Sequence, residues 1–165
     1  MSKKKPLFTY TTEIEAVKTI GEIQENLVAH GAKSVMANYS DGGAIEALSF
    51  TIATPEGQTM AIRLPCDPKP TLRVLVNQSK EGRVPRSLVN EHQALRVSWR
   101  IVKYWVEAQM ALLETQMVKM EQIFLPYAVV RSGRTLFEEM KQSSFALLDT
   151  KIQSNQPETG EVIEG

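Results

Sequence analysis

The stretch "AIEALSFTIATPEGQTMAIRLP", Ala44 to Pro65, decides the fold class. Leu48, Phe50 and Ile52 alternate with Ala47, Ser49, Thr51 and Ala53. "PEGQ" then turns the chain, and Met60, Ile62 and Leu64 alternate with Arg63. Period-two patterning of this kind puts one row of side chains in a core and the other toward water, as in an antiparallel sheet. Upstream, "KSVMANYS" sets Val35, Ala37 and Tyr39 on one side, and "DGG" at 41–43 is a tight turn suited to positive φ. Three strands in meander order are expected.

The flanks read differently. "PLFTYTTEIEA" mixes aromatic and β-branched residues and reads as an additional N-terminal strand. In "TIGEIQENLVAHG", Thr19 and Glu22 form a capping-box pattern. Ile20, Ile23, Leu27 and Val28 recur at helical spacing, and Gly31 supplies a left-handed stop. "CDPKP" ends the sheet, since its prolines cannot join a ladder, and Thr71 to Lys80 reads as a short helix with Leu72, Leu75 and Val76 inward, with a strand as the alternative because valine is common there.

From Leu88 to Leu125 neither Gly nor Pro occurs. An apolar seam runs through Leu95, Trp99, Val102, Val106, Met110, Leu113, Met117, Met120 and Phe124 at near-heptad spacing. One unbroken helix of that length would reach about 55 Å, more than a compact domain of this size spans. Either the helix bends near Glu114–Gln116, or its second half projects and packs on another copy. Met110, Leu113, Met117, Met120 and Phe124 are accordingly expected to pack on either the C-terminal helix at Leu136–Met140 or a second subunit, and they are the candidate surface for a homodimer. Trp99 is expected in the core, and Trp105 suits either core or partner. "GRTLFEEMKQ" makes a last short helix. The fold class is therefore α+β, with a strand, a helix and a three-stranded meander packed on a long C-terminal helix. The expected organisation is a mobile basic arm at 1–5, one domain at 6–145 and a disordered acidic tail at 146–165.

Composition narrows the function classes. The chain has 165 residues, 42% hydrophobic and 23% charged, with zero formal net charge. That is the profile of an ordinary soluble domain with no global field to draw it to nucleic acid or membrane. The single cysteine, Cys66, allows no internal disulfide and fits a reducing cytoplasm. "MSKKKPLF" lacks the apolar run of a signal peptide, and no stretch suits a bilayer span. Neither histidine, His30 or His92, has companions at metal spacing, so no metal or cofactor is expected. Cys66 beside Asp67 is a poor nucleophile. Ser132-Gly133-Arg134 falls in a loop between helices, outside any phosphate-cradling pattern. A non-enzyme is the expectation.

Charge is unevenly spread. Between Arg63 and Lys103 nine cations face three acids, a net of plus six, whereas from Glu138 onward six acids face two lysines, a net of minus four. Arg96, Arg100 and Lys103 stand at i, i+4 and i+7, one helix stripe, with Arg83 and Arg86 in the preceding loop. These five are the candidate nucleic-acid contacts, since such a stripe can track a phosphate backbone. It is also expected to be the helix's one wet face. Solvated surface ion pairs are the bland alternative.

The order helix, three strands, helix resembles a double-stranded RNA-binding domain in outline. The lysine-rich helix start that grips phosphate in that family is replaced here by "KPTLRVLVNQSK", and the family's function does not carry over. A nearer resemblance covers about residues 10–130. "TIGEIQENLVAHGAKSV", "ALSFTI", "AIRLP", "WRIVKYWVEAQMALLE" and "IFLPY" are similar to a group of small uncharacterised proteins of bacteriophages and prophages. The resemblance implies a phage setting and a host cytoplasm, and names no catalytic residue. Two expectations follow. The first is a non-catalytic accessory protein of replication or recombination, binding single-stranded DNA or another nucleic acid. The second is a module that binds a host or phage protein, such as an anti-defence inhibitor or an assembly factor.

Overall fold

The structure is a computed structural model and describes residues 4–148. In chain order it contains α1 (Ala16–Ala29), β1 (Ser34–Tyr39), β2 (Ile45–Ala53), β3 (Thr59–Pro65), α2 (Pro68–Lys80), α3 (Glu91–Glu114), α4 (Met120–Phe124) and α5 (Leu136–Gln142). The three strands form one antiparallel meander in the order β1-β2-β3. The α+β architecture read from the alternating strands and the long helix is the one observed.

Each element ends where its local chemistry directs. Gly31, at φ 103°, takes the left-handed position after α1. Ala32 N–H then reaches Leu27 O and Gly31 N–H reaches Val28 O, the paired bonds of a Schellman stop. Gly43 and Gly57, at φ 80° and 79°, close the two hairpins of the sheet. Asp67 caps α2 by accepting from Lys69 N–H, and Pro68 occupies the first helical position, where its missing donor costs nothing. Asn90 caps α3 through Gln93 N–H.

The apolar row of the sheet, Leu48, Phe50, Ile52, Ile62 and Leu64, packs with Ile20, Ile23 and Leu27 of α1 and with Trp99, Val106 and Met110 of α3. Trp99 is fully buried, as expected. A second cluster joins Leu75 of α2, Val84 and Ala94 of α3, with Leu7 and Tyr10 packed against it.

Two expectations are corrected. The N-terminal segment forms no strand: residues 8–11 are turn, and Thr9 has φ 61°. Its backbone is instead held from outside, with Gln78 Oε1 accepting from Leu7 N–H and the Gln93 amide donating to Tyr10 O and Thr12 O. Helix α1 starts three residues before Thr19, with Glu15 at the cap, so Thr19 lies inside the helix and is buried.

The long helix stops at Glu114 after 24 residues. Thr115 donates its hydroxyl to Leu112 O, Gln116 turns left-handed at φ 61°, and the chain doubles back. Phe124 returns to the core, its ring 5.0 Å from Phe50 and 5.9 Å from Trp105. The bend near Glu114–Gln116 is thus realised, and the projecting alternative is not. Finally, Lys5 O accepts from Arg83, which ties the end of the basic arm to the fold. The acidic tail falls outside the described residues except for 146–148, which lie in turns.

Candidate nucleic-acid interface

The stripe Arg96, Arg100, Lys103 is not a wet face. It is the seam between α3 and α1. Arg100 is 8% exposed and donates through Nη1 to Glu22 Oε2 at 2.6 Å and to Thr19 Oγ1 at 3.2 Å. Arg96 pairs with Glu15. Lys103 pairs with Glu107 and lies 3.7 Å from Glu22. The Arg96 hydrogen bond holds Glu15 below the usual carboxylate range, against a smaller opposing effect of desolvation. Arg100 does the same for Glu22. Three cations expected to meet phosphate are therefore already met by carboxylates. The sequence showed their spacing, and what it lacked was the identity of the helix laid across them.

In the preceding loop, Arg83 is clasped by Glu81, with Nε 2.7 Å from Oε2. Arg86 is exposed, and among the described residues it makes no ion pair. The expected dimer seam is likewise occupied. Met110 and Phe124 are buried within one chain, and Leu113 and Met120 pack on the same core. Met117 alone of the five stands out, 67% exposed in the turn after α3.

A cationic surface that the stripe argument passed over lies on α2. Between its cap Asp67 and Glu81 there is no acid. Lys69, Arg73 and Lys80 are exposed, and none makes an ion pair among the described residues. At about 100° per residue they fall within an arc of about 40°, and they span about 16 Å of helix rise. Leu75 on the opposite side is buried against α3. Lys69, Arg73 and Asn77 border a shallow groove with Leu72 and Val76. Lys4 and Lys5 line another with Gly82 and Arg83. The signal in the sequence was the acid-free run at i, i+4 spacing.

Beyond Lys5 the chain leads to Phe8, 60% exposed, whose ring meets Tyr104 of α3 edge-on at 5.2 Å. Lys103 and Arg100 approach that Tyr104 ring to 5.0 Å and 5.7 Å.

The other chemistry-bearing groups are placed as follows. Burial pushes the Cys66 thiol up to about 12, with Asp67 adding to the effect. Among the described residues no three His, Cys, Asp or Glu side chains converge as metal ligands. No helix there is long and apolar enough to cross a membrane. Ser132 to Arg134 sit in a tight hairpin where Ser132 and Arg134 both bind Glu139. No family model, no curated protein and no solved structure matches the chain.

Proposed function

We propose that the protein is a non-catalytic accessory protein that binds the phosphate backbone of a nucleic acid through the outward face of α2. Lys69, Arg73 and Lys80 supply the charge, and Arg86 extends it. The observation that carries this reading is the exposed helix face without a single acid, whereas every cation of the α3 stripe is neutralised. A phosphate meeting α2 displaces only water and counterions, and release of those ions drives the binding. The face has no base-reading geometry, so binding is largely independent of sequence. The exposed Phe8–Tyr104 pair offers unpaired bases a ring to stack on, and this favours single strands over duplex. Such a role suits the replication or recombination setting implied by the phage resemblance, in a host cytoplasm.

Gel shifts with short single- and double-stranded DNA and RNA at low salt test it. Wild type should retard single strands, and Lys69→Glu with Arg73→Glu and Lys80→Glu should abolish the shift while the fold persists. Arg73→Ala with Lys80→Ala should flatten the log–log salt dependence by about 1.4 on single strands. No shift of any polynucleotide at tens of micromolar sinks the reading. Binding of a host or phage protein would then lead, favoured by the exposed apolar side chains of Phe137, Leu147 and Leu148 at the other end of the chain.

A further inference from the structure

The sheet has two edges, and the structure treats them differently. Ala128 bridges to Ile62, and Val129 N–H donates to Ala61 O, so the chain returning from α4 covers the outer side of β3. Among the described residues nothing of the kind is seen along β1.

The hydrogen-bond parity of the sheet fixes what β1 presents. Cys66 N–H donates to Glu46 O, so the even-numbered residues of β2 from Glu46 turn their backbone groups toward β3, and the odd-numbered ones turn toward β1. The register pairs Thr51 with Ser34, Ser49 with Met36 and Ala47 with Asn38. The even-numbered residues of β1 are therefore the ones bonded to β2. Ser40 N–H donating to Ala44 O continues that parity beyond the strand. Val35, Ala37 and Tyr39 must then direct their N–H and C=O groups away from the sheet. Among the described residues no hydrogen bond outside the sheet ladder reaches them.

Natural edges are usually blunted by an inward charge, a proline or a short strand. Here "SVMANY" has no charge and no proline. Two of its large side chains, Met36 at 59% and Tyr39 at 64%, are exposed.

We propose that β1 pairs antiparallel with β1 of a second copy about a two-fold axis at Ala37, joining the two meanders into one continuous sheet. The register follows from the parity. An axis at Ala37 sets Ala37 against its own symmetry mate and Val35 against Tyr39 of the other copy. All three outward-facing residues are then paired, with two hydrogen bonds in each such pair. An axis at Met36 would set Tyr39 against Lys33, whose N–H is already given to Thr51 O. An axis at Asn38 would leave Val35 facing a loop. The Ala37 axis also sets Lys33 opposite Asp41, twice by symmetry, so the flanking charges are complementary. The side chains agree as well. Val35 against Tyr39 is a β-branched–aromatic cross-strand pair that covers the exposed ring. On the other face Met36 lies beside Asn38 and diagonal to its own mate.

Sedimentation equilibrium and light scattering on the full chain provide the test. Wild type should be a dimer at tens of micromolar, and Ala37→Pro should be a monomer. Proline on an outward-facing position removes only a donor that β2 does not use, so the far-UV spectrum should stay as in wild type. Lys33→Asp alone and Asp41→Lys alone should each raise the dissociation constant about tenfold, and the two together should restore it. That rescue is specific to this register and remains informative if the proline variant fails to fold. A monomeric wild type overturns the proposal. So does a dimer that survives Ala37→Pro, or charge reversals without effect.

Discussion

The guanidinium of Arg100 lies 2.6 Å from the carboxylate of Glu22 and 3.2 Å from the hydroxyl of Thr19, one turn apart on α1. The sequence pattern Thr-x-x-Glu is thus turned outward from its own helix and used to clamp the next one. Burying an arginine this deeply is costly unless each donor is met. The clamp gives Nη1 two acceptors, one of them charged, and fixes how α3 lies along α1.

Arg100→Ala should therefore destabilise the fold by about 3 kcal/mol, because it leaves Glu22 and Thr19 facing a gap. Arg96→Ala should cost no more than about 1 kcal/mol, since its partner Glu15 is 55% exposed. Urea unfolding separates the two. Equal losses would mean that burial does not distinguish the pairs.

Trp99 carries a second contrast. Trp99→Ala should cost about 3–5 kcal/mol. Trp99→Phe should cost less, because it keeps most of the ring and removes an indole N–H that is buried without an acceptor. On the same former seam, Met110→Ala should cost about 2–5 kcal/mol, and Met117→Lys should stay within about 0.5 kcal/mol. Thermal melts check all four. A large loss at Met117 would return it to an interface.

His30 should make stability depend on pH. Its Nδ1 donates to Asn26 O at 2.8 Å and its Nε2 to Glu114 at 2.9 Å, which requires the charged ring. The backbone bond first, and Glu114 second, raise its pKa above the usual 6.5. A raised pKa means the contribution is complete below the unfolded value and disappears as pH rises through the folded one. The stability gap between wild type and His30→Ala should be wide at about pH 5.5 and should narrow by about pH 8.5. A gap independent of pH would show that the ring contributes by packing alone.

Gln116→Gly should raise the melting temperature. Gln116 holds φ 61° where α3 ends, and a side chain in that region costs about 1 kcal/mol that glycine does not incur. A lower melting temperature would show that the Gln116 side chain, or a looser unfolded chain, outweighs the strain.

How much was legible in the sequence depended on range. The meander was readable because alternation and turn glycines are local, and Leu48, Phe50, Ile52, Ile62 and Leu64 face the core as their period requires. Length alone left a bend near Glu114–Gln116 or a projecting second half, and the structure takes the bend. The N-terminal segment misled, because Phe8 and Tyr10 among threonines have strand propensity. The backbone at Leu7, Tyr10 and Thr12, however, is bonded by Gln78 and Gln93, more than 70 residues away. The α3 stripe misled for the same reason. Spacing along one helix says which cations share a face and nothing about the acids of another helix that covers it. The face of α2 was legible from the absence of acids, a signal weaker to the eye than a run of positives.

The return of the chain to Ile62 through Ala128 has a consequence for growth. A sheet with two open edges can add neighbours at both ends and lengthen without limit. With the β3 side already occupied by its own polypeptide, each molecule can offer one edge and no more. Whatever strand joins at β1, the assembly terminates there, and a fibril that needs head-to-tail stacking of these sheets has no second site from which to continue.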